Sequence, residues 1–464
     1  MTKIKKTISD IIGKNNWIDG KDAQKYYRDW LNINGTIPMG VAFPANTNDV
    51  SEIVKVCSHE NIEIIPQGGN TGLVGASVPS QGKSIIVSFE KMHKIIKLDV
   101  DSGLMVVEAG VILADVHAAL NETNLEFPMH LGSEGSARIG GLVATNAGGN
   151  QAFRFGMMTD LVLGLEVVLP DGQVFEGVRE VQKDNSGYQL RSLFCGSEGT
   201  LGLITKVVLK LVPKSTNVET GLVGFKDLNT AVKFCRDFSC QFHNFLMAIE
   251  FFTDFGVDLI LKLSTDNDFP VKDRASIYVL FELGATSSLL DIRKPLIDYL
   301  SSNLVSSELV DCIVANSESQ RRKIWFFREE QPEGQRLIGE QIKNDISVPI
   351  GSIEEFITRA IKICSEVNPN LRINYFGHMG DGNIHFNISP PEGNAAFTEK
   401  ERGLSQKIAA LANEMNGSFA AEHGIGRTKK VIYNELRGEA ERDLRLKIKK
   451  SIDNQNIFNK GVIN

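Results

Sequence analysis

The sequence lacks the patterns that would place the protein in a membrane or in an oxidising compartment. No apolar run reaches about 18 residues, so we expect no membrane-spanning helix. The opening residues MTKIKKTISDIIGKNNW carry lysines but neither an apolar stretch nor a small-residue cleavage site, so we expect no secretory signal and no transit peptide. The six cysteines form no C-x-x-C pair, which argues against a disulfide framework and a cysteine-ligated iron–sulfur cluster. We therefore predict a cytoplasmic protein with reduced thiols.

An excess of positive charge is also missing. The chain has 50 lysines and arginines against 57 aspartates and glutamates, a formal net charge of −7 at pH 7. This balance argues against a general affinity for nucleic acid or anionic membranes. At 464 residues, with 42% hydrophobic and 23% charged residues, the composition is that of an ordinary soluble protein of about two to four domains.

Two common nucleotide-binding loops are absent, but glycine-rich loops of another kind are present. No G-x-G-x-x-G follows the first predicted strand and no G-x-x-x-x-G-K-[ST] occurs, which excludes a Rossmann dinucleotide site and a P-loop. The glycine-rich stretches are QGGNTGLVGASVP at 67–79, LGSEGSARIGGLVATNAGG at 131–149 and CGSEGTLGLIT at 195–205. Glycines leave backbone N–H groups accessible to an anion. One stretch alone is typical of a tight turn, whereas three indicate a large phosphorylated cofactor bound in extended form.

The spacing of apolar residues divides the chain into four predicted segments. Residues 1–36 look helical and polar, and residues 37–213 look like an α+β domain. Residues 214–420 suit a mixed α/β cap domain over a substrate, and residues 421–464 form a C-terminal segment that includes a predicted helix at 439–454. The other predicted helices are 47–59, 114–123, 227–238 and 317–330, and the predicted strands are 62–65, 84–87, 105–109, 163–169, 207–211, 245–252 and 277–282.

Two strings near the C-terminus hold three of the eight histidines, GHMGDGNIHFN at 377–387 and AEHGIG at 421–426. Asp381-Gly382 predicts a two-residue type I′ hairpin turn, which would pair His378 directly with His385. Opposed side chains have Cβ atoms about 5 Å apart, so both imidazoles could bind one metal ion. Glu422 is the candidate third ligand, because two histidines seldom hold a catalytic metal alone. The alternative is a solvated hairpin with two hydrogen-bonded histidines.

The motifs together resemble those of one family. PQGGNTGLVGASVP, SEGSARIGGLVATNAGG, GSEGTLGLIT, REEQPEGQ, IKNDISVP, GHMGDGNIHFN and EHGIGRTKK follow one another in the order found in FAD-linked D-2-hydroxy-acid dehydrogenases of the vanillyl-alcohol-oxidase superfamily. The chain is most similar to D-2-hydroxyglutarate dehydrogenases, with D-lactate dehydrogenases close behind. The resemblance implies an α+β fold: a PCMH-type FAD-binding domain of two subdomains, a mixed α/β cap domain and a C-terminal segment that returns to the flavin.

The resemblance also implies which residues bind the cofactor. Residues of the three glycine-rich loops and the strands beside them would hold FAD: Pro66, Gly68, Gly69, Asn70, Thr71, Gly72, Gly75, Ser133, Gly141, Thr145, Asn146, Gly149 and Ile204. Relatives that bond FAD covalently carry a histidine in the first loop, where this chain has Gln67 and Asn70. We therefore expect noncovalent FAD.

A metal site and a substrate site follow from the same resemblance. His378, His385 and Glu422 match the ligands of a divalent metal, usually zinc, and His423 matches the general base. Arg328 and Lys343 match anchors for substrate carboxylates, with surface charges as the alternative for both, and Asn387 matches a residue near substrate and flavin. The implied reaction oxidises a D-2-hydroxy acid, best D-2-hydroxyglutarate, to the 2-oxo acid with hydride transfer to flavin N5. The base would take the hydroxyl proton, while the metal polarises the hydroxyl.

Three alternatives stay open on the sequence. Some hydroxyglutarate enzymes have a hydroxyl residue four places after the anchoring arginine, where this chain has Pro332, so D-lactate or glycolate is the alternative substrate. A flavin-dependent transferase like alkyl-dihydroxyacetone-phosphate synthase is the alternative reaction, and a non-enzymatic electron-transfer subunit is the third. We further expect an external electron acceptor (a quinone, an electron-transfer flavoprotein or a cytochrome), a homodimer, and a cytoplasmic enzyme that can associate peripherally with a membrane.

Overall fold

The computed structural model describes residues 2–31, 33, 35–263, 268–305 and 309–463. The chain forms two compact units. The first unit comprises Met1–Gly149, Phe155–Pro213 and Glu422–Asn464, and the second comprises Asn150–Arg154 and Lys214–Ala421. Among the helices of the described residues, none combines the length and the hydropathy needed to cross a membrane.

Helices and strands are numbered separately along the chain. The strands are β1 Trp17–Asp19, β2 Gly40–Ala42, β3 Glu63–Gln67, β4 Ser84–Ser88, β5 Ile95–Asp99, β6 Leu104–Glu108, β7 Leu125–Glu126, β8 Val162–Val168, β9 Val174–Gly177, β10 Leu203–Lys210, β11 Val212–Pro213, β12 Asn217–Phe225, β13 Leu246–Thr253, β14 Ile277–Ala285, β15 Asp311–Val314, β16 Ile342–Ser347, β17 Arg372–His378 and β18 Asn383–Ser389. The helices are α1 Thr2–Ile12, α2 Thr47–His59, α3 Leu113–Ala119, α4 Ile139–Thr145, α5 Ala152–Phe155, α6 Met158–Leu161, α7 Leu190–Phe194, α8 Leu228–Gln241, α9 Asp254–Leu261, α10 Arg293–Val305, α11 Glu318–Glu329, α12 Gln331–Arg336, α13 Ile353–Val367, α14 Glu399–Arg402, α15 Leu404–Glu414, α16 Lys430–Leu436 and α17 Glu439–Ile452.

The first unit contains two principal sheets. Strands β1, β2, β4 and β3 form a four-stranded sheet in that order, in which β2, β4 and β3 are parallel. Strands β5, β6, β10, β8 and β9 form an antiparallel sheet of five strands. Apolar side chains of both sheets belong to one continuous core. Two α+β subdomains of this kind are what the resemblance implies for the FAD-binding domain.

The C-terminal segment is held inside the first unit by buried polar bonds. The Lys449 ammonium is 5% exposed and donates to Asp453 at 2.6 Å and to the carbonyls of Thr200 and Phe458 at 2.7 and 2.9 Å. Phe458 also forms a parallel bridge with Ile64 of β3. Because a buried ammonium needs several acceptors, these bonds fix where the chain end lies in this unit.

The second unit is built on one antiparallel sheet of seven strands, in the order β15, β12, β14, β13, β17, β18 and β16. Successive side chains of each strand point to opposite faces of the sheet. On one face Phe281 packs against Phe238 of α8 and Phe386 packs near Phe356 of α13. On the other face, side chains from β12 to β17 form an apolar cluster with helices α9 and α11. The same second face becomes polar along β17, β18 and β16, where the candidate site lies.

The structure confirms the predicted pattern of strands and helices and corrects two details. Residues 1–36 are predicted to be helical, but the α-helix ends at Ile12 and 3₁₀ turns and strand β1 follow, with Asn32 and Asn34 outside the described residues. The prediction of a two-residue turn at Asp381-Gly382 is wrong, because His378 pairs with Asn383 across a four-residue loop. Within that loop Gly382 has a positive φ of 82°, and Met379 donates its N–H to the carbonyl of Ile249 in β13 at 2.9 Å. Met379 therefore lies in the loop and bonds to the neighbouring strand, while Gly377 takes the place opposite Ile384 that was predicted for Met379. All six cysteines lie in the described part of the chain and are free.

Candidate active site

Within the second unit, one sheet face carries a row of polar side chains that is almost fully enclosed. Glu250 of β13 lies opposite His378 of β17, and His378 lies opposite Asn383 of β18. His385 of β18 lies opposite Asp345 of β16. Glu250 and Asp345 are each 1% exposed and His378 is 7% exposed. Because buried charges are costly unless they are paired, such a row indicates a site rather than a solvated surface.

Glu250 joins a predicted metal ligand to a predicted substrate anchor. Its Oε1 lies 2.7 Å from Nδ1 of His378, and its Oε2 accepts a hydrogen bond of 2.8 Å from Nε of Arg328. Burial alone would raise the pKa of the Glu250 carboxyl, but His378 and Arg328 together hold it below its ordinary value. A histidine whose Nδ1 engages a carboxylate presents Nε2 to a metal, and the carboxylate fixes the orientation of the ring.

A second carboxylate stands beside the second histidine. Oδ1 of Asp345 lies 3.8 Å from Nδ1 of His385 and accepts a hydrogen bond of 3.0 Å from the Asn383 amide. The same amide donates to the carbonyl of Ile346 at 2.8 Å. The His378 and His385 rings are 5.8 Å apart between centroids, on one face of adjacent strands as predicted, although the two residues are diagonal neighbours rather than directly opposed.

The three predicted substrate-binding residues lie in the same unit. Arg328, on the last turn of α11, is 7% exposed, with its guanidinium carbon 5.2 Å from the centre of the Phe376 ring. The alternative of a surface charge is therefore wrong for Arg328. Lys343 lies opposite Asn387 in the register of β16 and β18. Burial lowers the pKa of the Lys343 ammonium, and the Glu333 carboxylate opposes that shift.

The sequence interpretation missed Glu250 and Asp345, the carboxylates that lie beside the two histidines. Each had a detectable signal. Glu250 is the single charged residue in the strand LMAIEFFT, and Asp345 lies in IKNDIS within a stretch used only for the family resemblance. A charge inside an otherwise apolar strand is rarely buried without a partner. That rule points to Glu250, although it does not identify the partner, whereas the signal for Asp345 is only its place in the family motif.

Within the first unit, the predicted cofactor loops combine glycines of two kinds. A Cβ atom added at Gly72 or Gly141 would meet no heavy atom within 4 Å, so the main chain there borders open space. A Cβ atom at Gly69 would lie 1.9 Å from the Ser136 carbonyl oxygen, and one at Gly149 would lie 2.5 Å from that of His130. The first kind allows a ligand to approach the backbone, and the second allows the loops to pack. This arrangement fits a bound FAD.

The side chains of the loops fix their shape. Asn70, Asn146 and Glu198, one in each glycine-rich loop, have positive φ angles of 56°, 48° and 49°. The Asn70 amide donates to the Arg28 carbonyl at 2.7 Å, and Asn146 Oδ1 accepts the Thr159 N–H at 2.9 Å. Left-handed backbone is uncommon outside glycine and tends to occur at functional sites. The remaining predicted cofactor residues flank these positions, namely Pro66 in β3, Gly68, Thr71 and Gly75 in the first loop, Ser133 and Thr145 in the second, and Ile204 in β10.

The loop with Glu422 and His423 contacts all three glycine-rich loops inside the first unit. Both carboxylate oxygens of Glu198 accept backbone N–H groups, from Ile425 and Gly426, each at 2.8 Å. Burial raises the pKa of Glu198, and the two N–H donors oppose that shift. The Arg427 N–H donates to the Val74 carbonyl of the first loop at 2.9 Å. In the second loop, a Cβ on Gly148 would lie 3.3 Å from Oε1 of Glu422.

Comparison with known proteins identifies the family of the chain. The family model of a FAD binding domain matches residues 38–177, and that of the C-terminal domain of FAD linked oxidases matches residues 214–463. The mitochondrial D-2-hydroxyglutarate dehydrogenase of Arabidopsis thaliana is 33% identical over 97% of this chain and 79% of its own length. The D-2-hydroxyglutarate dehydrogenase of Stutzerimonas stutzeri is 30% identical over 96% of this chain and 95% of its own length.

Solved structures show the fold. Substrate-bound p-cresol methylhydroxylase superposes with a TM-score of 0.75 over 99% of this chain and 96% of that chain, at 17% identity. The FAD binding domain model covers the first two glycine-rich loops, and the C-terminal domain model covers the histidine hairpin. The chain is thus an oxidoreductase that belongs to the FAD-linked oxidases, the family of the D-2-hydroxyglutarate dehydrogenases.

Proposed function

We propose that this protein oxidises D-2-hydroxyglutarate to 2-oxoglutarate and passes the electrons to an external acceptor. The observation that carries the proposal is the enclosed polar row of the second unit. It combines two imidazoles, each beside a carboxylate, with the cations Arg328 and Lys343. A dicarboxylate with a hydroxyl group between its ends offers charge to the cations and oxygen to a metal. The names of the relatives support the same substrate.

The chain's own residues have distinct tasks in this proposal. Arg328 binds one substrate carboxylate through its planar guanidinium, since the bond to Glu250 uses only Nε of its five N–H groups. Lys343 binds the other carboxylate as a point charge. His423 takes the proton from the C2 hydroxyl oxygen, and the Glu198 bonds to Ile425 and Gly426 hold the loop that carries this base.

The two groups that the family implies fit the residues present. FAD, when bound noncovalently along the three glycine-rich loops, supplies the acceptor for the hydride that leaves C2. A divalent metal, for which zinc is the first choice, would have His378, His385 and Glu422 as ligands and would polarise the hydroxyl. The donor set supports this assignment, because His378 has the carboxylate partner that metal-bound imidazoles usually have and His385 lies 3.8 Å from a second carboxylate.

D-lactate is the second candidate substrate, and Pro332 is the observation that favours it. Pro332 lies in the first turn of α12, where some hydroxyglutarate enzymes have a hydroxyl. A proline cannot donate a hydrogen bond to a distal carboxylate. Lys343 can still supply a positive charge for that carboxylate. We therefore keep the diacid D-2-hydroxyglutarate as the first candidate substrate. A transferase like alkyl-dihydroxyacetone-phosphate synthase is the candidate of another class, and the cytoplasmic location and the homodimer remain predictions.

Anaerobic flavin reduction tests the proposed function. The purified yellow protein is mixed with D-2-hydroxyglutarate, L-2-hydroxyglutarate, D-lactate or glycolate, and the visible absorbance of the oxidised flavin is followed. We expect D-2-hydroxyglutarate to bleach the flavin most efficiently, with the highest ratio of the reduction rate constant to the dissociation constant among the four acids. Bleaching by D-lactate alone would select the second substrate, and flavin that stays oxidised with every acid would reject the dehydrogenase.

A further inference from the structure

One buried glutamate connects parts of the site that act on different groups. Glu250 places one carboxylate oxygen 2.7 Å from His378 Nδ1 and the other 2.8 Å from Arg328 Nε. It lies directly across β13 and β17 from His378, so the imidazole contact follows from the strand register. Arg328 reaches the same carboxylate from α11, which packs over this sheet face.

The second unit contains a close counterpart of this pair that lacks the histidine. Glu282 of β14, on the same sheet face and 4% exposed, accepts from Arg321 of α11 through Nε at 2.8 Å and Nη2 at 3.0 Å. Trp325 and Thr220 also donate to Glu282, at 2.9 and 2.7 Å. Arg321 and Arg328 are seven residues apart, which places them about two turns apart on one side of the helix.

The difference between the two glutamates indicates different roles. Both oxygens of Glu282 bind the fork of one arginine, a geometry that anchors a helix to a sheet. Glu250 instead divides its oxygens between an imidazole and a guanidinium, so neither partner receives the two-point contact. Replacing a buried ion pair by apolar residues is often neutral for stability. Stability alone therefore does not explain why the Glu250 carboxylate is divided between two partners.

We propose that Glu250 is a positioning residue that fixes the His378 imidazole and the Arg328 guanidinium relative to each other. Metal binding through His378 and carboxylate binding through Arg328 then depend on one side chain. This inference rests on the proposed function, which assigns the metal to His378 and the substrate carboxylate to Arg328. Asp345 lies beside His385 and accepts from the Asn383 amide, whereas Glu250 contacts both a proposed metal ligand and a proposed substrate anchor.

Glu250→Gln tests the inference, with Glu282→Gln as the matched control. A glutamine has one acceptor oxygen, so it can satisfy His378 or Arg328 but not both. Zinc affinity is measured by competition with a chromophoric chelator, and KM and kcat for D-2-hydroxyglutarate are measured at saturating zinc. We expect Glu250→Gln to weaken zinc binding about 10- to 100-fold. We also expect its KM to rise roughly tenfold at saturating zinc, since a misplacement of about 1 Å can cost up to about 10²-fold.

Glu282→Gln should lower the thermal midpoint while leaving zinc affinity and KM within about twofold of wild type, as expected for a substitution outside the site. Glu250→Asp serves if Glu250→Gln does not fold: it keeps both acceptors but shortens the side chain, so zinc affinity and KM should again change together. Equal effects of the Glu250 and Glu282 variants, or wild-type zinc affinity in both Glu250 variants, would overturn the inference. A wild-type protein that neither binds zinc nor oxidises the acid would instead reject the proposed function.

Discussion

The two units present their polar groups in different ways. In the first unit, Gly72 and Gly141 leave the main chain bordering open space, so a ligand could approach the backbone groups there. In the second unit, Glu250, His378 and Arg328 form a network of side chains on rigid elements. A long cofactor with a pyrophosphate is bound well by backbone N–H groups, whereas a small acid and a metal ion need charged side chains in defined positions. Substitutions should therefore separate cofactor retention from metal and substrate binding.

The largest expected effect is loss of the metal. His378→Ala and His385→Ala should each lose bound zinc and at least about 10³-fold in turnover, since a metal supplies several kcal/mol of transition-state stabilisation. Both variants should keep FAD, because their substitutions lie in the second unit. Metal content by atomic emission and flavin content by absorbance check this separation. His243→Ala, at an exposed histidine of the same unit, is the control. Full activity in a metal-free preparation would contradict the proposed site.

His423 is an exception to this comparison, because it lies in the first unit and yet acts through its side chain in the proposed reaction. His423→Asn should retain FAD, zinc and substrate affinity, yet reduce its flavin at least about 10²-fold more slowly, the lower end for general-base catalysis. Stopped-flow reduction under anaerobic conditions measures the rate constant. Rapid reduction by His423→Asn, together with slow reduction by a Glu422 variant that keeps its metal, would reverse the two assignments.

Arg328→Ala should lower kcat/KM for D-2-hydroxyglutarate by about 10²-fold, as expected when one partner of a buried charge pair is removed. Steady-state kinetics with D-2-hydroxyglutarate measures the change. Arg321→Ala, on the same helix and paired with Glu282, should lower stability without this kinetic effect. If both arginine variants lose kcat/KM equally, the loss reflects the helix rather than the substrate anchor.

The smallest effect concerns two glycines of the first unit. Gly141→Ala adds a methyl group in helix α4 where the space is open, so the apoprotein should gain about 0.5–1 kcal/mol of stability while FAD affinity falls about tenfold. Gly69→Ala would place its Cβ 1.9 Å from the Ser136 carbonyl, so it should destabilise the apoprotein itself. Thermal unfolding with and without FAD distinguishes the two. Stronger FAD binding by Gly141→Ala would contradict the idea that this glycine borders the cofactor.

Local patterns were sufficient for much of the fold. Helix α2 spans the predicted residues 47–59, because Asn46 caps it by accepting the Asp49 N–H and its apolar residues recur at helical spacing. Strand β14 begins at Ile277 as predicted and continues to Ala285. The turn at Asp171-Gly172 joins β8 and β9, with Gly172 at a φ of 83°. In each case, residues within one turn or one strand determine the conformation.

The sequence by itself determined the elements, the glycine-rich loops and the face that His378 and His385 share, because alternation along a strand depends only on residue order. Only the tertiary structure decided the hairpin register, because the loop bonds to elements that are distant in sequence, such as Ile249 of β13, whose carbonyl accepts the Met379 N–H. The tertiary structure also decided which residues Glu250 and Glu198 contact. Glu250 is 128 residues from His378, and Glu198 is 227 residues from Ile425. Contacts at such separations depend on how strands and loops pack, and no local preference encodes them.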